Sequence, residues 1–74
     1  MRPPRAEQKQ TILALAKATT RPLLIGDVAV KLGWWATLKD TEALLEEMVC
    51  EGTLRPMTKE EGWAYGVRWG YRAV

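Results

Sequence analysis

The fold of this 74-residue chain is decided by residues 21–57, RPLLIGDVAVKLGWWATLKDTEALLEEMVCEGTLRPM. Apolar residues in this stretch recur with helical spacing over 26–32 and again over 38–51, and a short apolar run precedes them at 23–25. The pattern predicts a short strand, a two-turn helix, a tight connection and a longer helix. We therefore expect two helices joined by a turn at the centre of the fold.

Glycines and a threonine set the ends of these two helices. Gly33 and Gly52 directly follow the two apolar periods, which is typical of helix C-termini. Thr37 is followed three residues later by Asp40, which fits a capping box, so the second of these helices is expected to begin at Leu38. A helical wheel divides that helix into an inward and an outward face. The inward residues are Leu38, Thr41, Leu44, Leu45 and Met48, and the outward residues are Lys39, Asp40, Ala43, Glu47 and Cys50.

A further helix is predicted before the central pair, over residues 5–18. Its core-facing stripe comprises Gln8, Ile12, Leu15, Ala16 and Thr19, and Lys9 and Lys17 point to solvent. Two consecutive prolines cannot lie inside a helix, so residues 1–5 are expected to form a flexible basic arm that carries Arg2 and Arg5. This arm either tracks DNA or is simply solvated.

Beyond the central pair, the sequence predicts a C-terminal β-hairpin. A strand over 53–57 is followed by TKEEGW, in which Gly62 supplies the bend, and then by a return strand over 65–74. The return strand alternates between an apolar and a basic face, which is typical of a half-buried strand. The apolar face comprises Tyr65, Val67, Trp69 and Tyr71, and the basic face carries Arg68 and Arg72. Trp69 is accordingly predicted to lie in the core.

Length and composition exclude several classes of protein. A chain of 74 residues holds one domain, and no uncharged stretch approaches the ~20 residues that span a bilayer, so we expect a single cytoplasmic domain over residues 1–74. The chain contains no histidine, no serine and a single cysteine, Cys50. It therefore offers no nucleophile–base pair and no set of metal ligands, and we expect neither enzymatic activity nor a metal or other cofactor.

The order helix, strand, helix, helix, hairpin, with the stretch IGDVAVKLG and the step EGTLRP after the third helix, resembles the winged helix-turn-helix superfamily of DNA-binding regulators. The resemblance implies an α+β, mostly α fold with three helices, a short strand and a hairpin wing. It also implies that helix 38–51 enters the major groove of double-stranded DNA while the wing, residues 58–64, contacts the backbone or the minor groove. The implied function is that of a transcriptional regulator or a plasmid- or virus-encoded factor. A homodimer is expected because one such domain contacts a single half-site.

The formal charge of +2 is distributed unevenly along the chain. Residues 1–21 carry five Lys or Arg against Glu7, residues 53–74 carry four against two acidic residues, and residues 38–52 hold only Lys39 against five acidic residues. DNA affinity depends largely on neutralising phosphates, so these contacts are expected from the arm and the wing, and base contacts from the start of the third helix. The candidate DNA-binding residues are Arg2, Arg5, Trp35, Thr37, Lys39, Asp40, Ala43, Lys59, Arg68 and Arg72.

The acidic third helix and the tryptophans leave a second function open. In this alternative, the same fold is a protein–protein interaction module whose acidic helix and exposed tryptophans bind a protein partner. Trp34 and Trp35 are adjacent in the turn, so one is expected to plug the core and the other to be at least partly exposed. Trp63, at the base of the wing, is compatible with either position.

Overall fold

The computed structural model describes residues 2–74, in which four helices and two short strands form an α+β, mostly helical structure. The elements are α1 (Arg5–Ala18), α2 (Ile25–Leu32), α3 (Leu38–Glu51), β1 (Leu54–Pro56), α4 (Lys59–Tyr65) and β2 (Tyr71–Ala73). The bounds predicted for the helices over 5–18 and 38–51 are confirmed, and α2 begins one residue earlier than predicted.

The start of α3 is fixed by its threonine cap. The backbone N–H of Asp40 donates to Thr37 Oγ1 at 3.0 Å, and a bond of this kind contributes about 1 kcal/mol to helix stability. The reciprocal half of the predicted capping box, in which the Thr37 N–H donates to the Asp40 carboxylate, is not formed. That carboxylate lies 3.7 Å from the guanidinium of Arg2 instead.

The core lies where α1, α2 and α3 meet the sheet. Its buried members are Ile12, Ala16, Leu23, Val28, Leu44, Leu45, Met48 and Leu54. Burying each large apolar side chain contributes roughly 1.5–3 kcal/mol, so this cluster is the main source of stability. Two polar residues are buried beside it, and both are hydrogen-bonded. Gln8 Nε2 donates to the Pro3 carbonyl at 2.7 Å, and the Thr41 hydroxyl donates to the Thr37 carbonyl at 2.8 Å.

The predicted inward faces are largely confirmed, with one error on α3. The stripe of α1 is buried at Gln8, Ile12 and Ala16, and Leu15 is half-buried. Leu38 was predicted to face the core but is 62% exposed. It lies in the first turn of α3, at the edge of the inward face, where its side chain is not covered.

The sheet combines two strands and one bridged residue. β1 and β2 pair antiparallel, and the facing residues are Leu54 with Ala73, Arg55 with Arg72, and Pro56 with Tyr71. On the other edge of β2, the Leu23 N–H donates to the Tyr71 carbonyl at 2.8 Å, and the Leu23 carbonyl accepts from the Tyr71 N–H at 3.0 Å. The strand predicted over 23–25 is thus reduced to a single bridged residue, because Ile25 already begins α2.

The predicted Gly-tipped hairpin is wrong in its central part. Between the strands the chain forms α4, within a connecting segment that we define as residues 57–70. The helix begins with a complete capping box. The Glu61 N–H donates to Thr58 Oγ1 at 3.2 Å, and the Thr58 N–H donates to Glu61 Oε1 at 2.8 Å. Residues 58–64, which were predicted to form the wing, therefore comprise the N-cap residue Thr58 and most of α4.

Gly62 is buried within α4 and does not form a turn. A Cβ at this position would lie 2.8 Å from the Val67 carbonyl oxygen, so the glycine permits a close approach of two backbone segments. The Val67 N–H donates to the Gly62 carbonyl at 2.9 Å, and Gly66, with φ of 68°, ends the helix. The return strand is consequently limited to β2. Because the chain before β2 is not extended, Trp69 is 81% exposed and does not lie in the predicted core position.

Candidate nucleic-acid interface

The candidate DNA-binding residues fall into two regions of the structure. The first region, which we name the α3 end, combines the N-terminal arm, the start of α1, the turn between α2 and α3, and the first turns of α3. It holds Arg2, Arg5, Trp35, Thr37, Lys39, Asp40 and Ala43. The second region consists of the connecting segment and β2, and it holds Lys59, Arg68 and Arg72.

The turn between α2 and α3 is held by backbone hydrogen bonds. The Gly33 N–H donates to the Ala29 carbonyl at 3.2 Å, and the Ala36 N–H donates to the Gly33 carbonyl at 3.1 Å. The two adjacent tryptophans differ in exposure, as predicted, since Trp34 is 86% exposed and Trp35 is half-buried. Trp35 does not reach the core cluster, however, so neither tryptophan plugs the core.

The N-terminal arm lies against the first turn of α3. The guanidinium carbon of Arg2 is 5.4 Å from the centroid of the Trp35 ring, and Arg2 Nη2 is 3.7 Å from Asp40 Oδ2. A cleft of about 240 Å³ lies between the arm, Trp35 and α3, and Ala43 of α3 is one of its lining residues. Two candidate DNA contacts, Arg2 and Asp40, are therefore paired with each other.

Cations of α1 neutralise part of the acidic face of α3. Arg5 Nε donates to Glu47 Oε2 at 2.7 Å, and Lys9 Nζ lies 3.2 Å from Glu47 Oε1 and 2.6 Å from Glu51 Oε2. The bonds from Arg5 and then Lys9 lower the pKa of Glu47, and the bond to Glu51 is the main cause that raises the pKa of Lys9. The Lys9 side chain was predicted to point to solvent but is only 21% exposed. The acidic residues of α3 thus join it to α1.

The outward stripe of α3 carries less free charge than the sequence suggests. Lys39, Ala43 and Cys50 are exposed, and Lys39 forms no ion pair within residues 2–74. Glu46, which is also exposed, accepts a hydrogen bond from the Tyr71 hydroxyl at 3.2 Å. Burial, followed by the charge of Glu46, raises the pKa of Tyr71. Lys39 therefore provides an unpaired cation at the start of α3.

In the second region, one carboxylate binds two arginines. Arg55 Nη1 and Nη2 donate to Glu61 Oε1 at 2.8 Å and Oε2 at 3.0 Å, and Arg72 Nε lies 3.3 Å from Glu61 Oε2. The Arg55 bonds, followed by the Thr58 N–H, lower the pKa of Glu61 to about 2. Arg72 Nη1 also donates to the Thr20 carbonyl at 2.7 Å. Arg72, a candidate phosphate contact, is therefore engaged in holding β2 to α4 and to the chain after α1.

Lys59 and Arg68 have no such partners. Both are exposed, form no ion pair among residues 2–74, and line a groove of about 440 Å³ together with Trp63 and Trp69. The predicted hairpin does not contain this groove, because it places Trp69 in the core and leaves the position of Trp63 open. A signal for it was present in the sequence. The residues TKEE at 58–61 fit the capping-box pattern and indicate a helix where a turn was predicted.

No protein-family model matches the chain, and neither a curated protein nor a solved structure is significantly similar to it. Within residues 2–74, no helix combines the length and the apolar character needed to cross a bilayer. The function is therefore inferred from the contacts and charges of the chain itself.

Proposed function

We propose that this protein binds double-stranded DNA in the cytoplasm as a winged helix-turn-helix domain, without enzymatic activity. It acts as a small transcriptional regulator or as a plasmid- or virus-encoded factor. In this proposal α2 and α3 form the helix-turn-helix, and the connecting segment between β1 and β2 takes the place of the wing. The order of the elements supports the assignment, as does the position of β2 between Leu23 and β1.

The observation that carries the proposal is the pairing of three of the five acidic residues of α3 within the protein. A recognition helix with several free carboxylates would repel the phosphates on both sides of the groove. Asp40, Glu47 and Glu51 contact cations of the arm and of α1. Their charge is neutralised inside the molecule, and the start of α3 presents Lys39 to solvent.

This arrangement assigns different roles to the candidate residues at the start of α3. Lys39 donates to the O6 and N7 atoms of guanine in the major groove, and the small Ala43 permits close approach of the helix. Thr37 is engaged as the helix cap and Asp40 is bound to Arg2, so neither is free to select a base. Base selection by α3 therefore depends mainly on Lys39.

Phosphate contacts fall to cations that have no ion pair among residues 2–74. Three of these cations are assigned to phosphate, namely Lys59 and Arg68 of the connecting segment and Lys31 in the last turn of α2. With about three phosphate contacts, the slope of log K against log salt concentration is about −3 for one domain. A homodimer that engages two half-sites has about twice that slope, and dimerisation on DNA is part of the proposal.

The test is fluorescence anisotropy of a labelled random-sequence duplex at about 50 and about 200 mM NaCl. We expect affinity to fall with salt, and to fall further in Lys39→Ala and in Lys59→Ala. Lys17→Ala is the matched control, because Lys17 is an exposed cation close to Gly52, about 20 Å along α3 from its N-terminal end. Absence of binding at about 50 mM NaCl, or an equal loss in Lys17→Ala, contradicts the proposal.

A second candidate function, a protein-interaction module, is favoured by the apolar side chains around the α2–α3 turn. Val30 is 83% exposed, Trp34 is 86% exposed and Leu38 is 62% exposed, and large exposed apolar residues are typical of interaction surfaces. The discriminating variant is Trp34→Ala, because Trp35 is half-buried beneath Arg2. Under this alternative, the wild type does not bind duplex at about 50 mM NaCl. Trp34→Ala then abolishes capture of a protein partner and leaves thermal stability unchanged.

A further inference from the structure

The connecting segment contains a groove between α4 and the residues that lead into β2. The groove has a volume of about 440 Å³ and is lined chiefly by Met57, Lys59, Trp63, Val67, Arg68 and Trp69. Trp63 is 86% exposed and Trp69 is 81% exposed, so most of each indole surface is open to solvent. Neither tryptophan belongs to the core cluster, and both are therefore available to a ligand.

Backbone contacts hold the groove in a defined shape. The Met57 N–H donates to the Gly70 carbonyl at 3.0 Å, and the Val67 N–H donates to the Gly62 carbonyl at 2.9 Å. Gly70 is buried, and a Cβ at this position would lie 2.7 Å from the Cβ of Pro22. The ion pairs of Glu61 anchor α4 to both strands. A ligand would therefore meet a preformed surface and would not have to order it.

The groove carries positive charge that no carboxylate neutralises in the part of the chain that the structure describes. Lys59 and Arg68 form no ion pair among residues 2–74, whereas Arg55 and Arg72 in the same region are both bound to Glu61. A complementary ligand therefore combines anionic groups with flat apolar groups. Nucleic acid has this chemistry when its bases are unpaired.

We propose that this groove binds single-stranded nucleic acid. Two unpaired bases stack on Trp63 and Trp69, and Lys59 and Arg68 contact the adjoining phosphates. Each stacked base strengthens binding by roughly 5- to 140-fold, with little dependence on sequence, because every base has a π-face. The site is separate from the α3 end, and base stacking in it does not require duplex binding, although the duplex function proposed above uses the same two cations, Lys59 and Arg68.

An acidic peptide with apolar residues would match the same charge, but the geometry favours nucleic acid. A peptide side chain that anchors an interface usually fills an enclosed pocket. The two indoles are instead open over most of their surface, as a stacking platform is.

The test uses fluorescein-labelled dT10, rU10 and an acidic ten-residue peptide that contains tryptophan, with anisotropy measured at about 50 mM NaCl. The wild type is expected to bind both oligonucleotides. A preference for dT10 or for rU10 then identifies DNA or RNA as the source, because the two differ in the 2′-hydroxyl. Trp63→Ala is expected to weaken binding roughly 5- to 140-fold, and Trp63→Phe to restore most of it. Arg68→Ala is expected to weaken binding and to reduce its salt dependence.

Trp34→Ala is the matched control, because Trp34 is as exposed as Trp63 but lies in the turn between α2 and α3. It is expected to leave dT10 and rU10 binding unchanged, and thermal melting verifies that each variant is folded. Absence of oligonucleotide binding, an equal loss in Trp34→Ala, or tighter binding of the acidic peptide overturns the proposal. Lys39→Ala is expected to weaken only duplex binding. Loss of duplex binding with intact dT10 binding would therefore overturn only the function proposed above.

Discussion

The contact between α1 and α3 and the connecting segment use the same residue types in opposite ways. Between α1 and α3, Arg5 and Lys9 pair with carboxylates of α3 that are about forty positions away in the sequence. In the connecting segment, Lys59 and Arg68 form no ion pair with any described residue and lie beside two open indoles. The charge of a sequence segment therefore does not determine whether that charge is available to a ligand. The partner of each residue in space determines it.

The expected phosphate contacts therefore move away from the N-terminus. Two cations of α1 are neutralised by carboxylates of α3 across the contact between the two helices. In the connecting segment, Trp63 and Trp69 are both open, whereas at the α2–α3 turn Trp34 is open and Trp35 lies beneath Arg2. The connecting segment thus combines unpaired cations and two open indoles in one groove.

The largest expected contrast is in stability. Leu45 is fully buried on the inward face of α3, and Leu45→Ala should lower the free energy of unfolding by about 2–5 kcal/mol. Trp63→Ala removes a larger side chain, yet it should change that free energy by less than about 0.5 kcal/mol, because the indole is exposed. Urea denaturation measures both. If Trp63→Ala lowered the free energy of unfolding as much as Leu45→Ala, the connecting segment would contribute to the core, contrary to the structure.

A pair of glycines tests whether the connecting segment is as closely packed as the structure indicates. Gly62→Ala should destabilise the protein by about 1–3 kcal/mol, because the added Cβ would lie 2.8 Å from the Val67 carbonyl oxygen. Gly26→Ala, in the first turn of α2, meets no atom within 4 Å and should stabilise by about 0.4–1 kcal/mol. Thermal melting of the two variants should therefore shift in opposite directions. A neutral Gly62→Ala would indicate that α4 is loosely held.

The helices that the sequence predicted correctly are those whose ends and faces depend on local signals. The apolar period of α1 and α3 is uninterrupted, and Thr37 and Gly52 mark the ends of α3 within the helix sequence itself. Such signals act between residues a few positions apart, so a pattern along the chain is sufficient to predict them. The same locality explains why the buried positions of α1 and α3 could be predicted.

The errors concern residues whose environment is set by distant or competing interactions. Gly62 was interpreted as a turn residue, but the capping box at 58–61 and the approach of Val67 place it inside a helix. As a result, the predicted return strand included Trp69, and the Trp69 side chain was assigned to the core. The pairing of Arg5 with Glu47 spans 42 positions, and charge counts along the chain cannot reveal it. The ion pairs between α1 and α3 were therefore beyond prediction from the sequence, whereas α4 could have been predicted from its capping box at 58–61.

The pH dependence of stability should reflect the ionisation of Glu61, a residue of α4. Hydrogen bonds from Arg55, followed by the bond from the Thr58 N–H, favour the ionised form of Glu61 in the folded state, with a pKa of about 2 against 4.5 ordinarily. The unfolded chain takes up this proton first, so the stabilisation is complete above pH 4.5 and is lost as the pH falls from 4.5 towards 2. Urea denaturation at neutral pH and in steps below 4.5 should show a shallower fall in Glu61→Gln than in the wild type. Glu60→Gln is the control and should keep the wild-type profile, because the neighbouring Glu60 is exposed and forms no ion pair among residues 2–74.

The smallest expected effect is an absence of change. It tests directly whether a cation that is paired within the protein contributes to DNA binding. Arg5→Gln and Lys59→Gln each remove one positive charge, but Arg5 is bound to Glu47, whereas Lys59 forms no ion pair within residues 2–74. In duplex binding measured over a range of salt concentrations, Lys59→Gln should reduce the slope of log K against log salt by about 0.9, since one phosphate contact is lost. Arg5→Gln should leave the slope unchanged, because the arginine and its carboxylate release no counterions from DNA. An equal reduction in both variants would mean that Arg5 exchanges Glu47 for phosphate on binding. In that case the contact between α1 and α3 would belong to the DNA-binding surface.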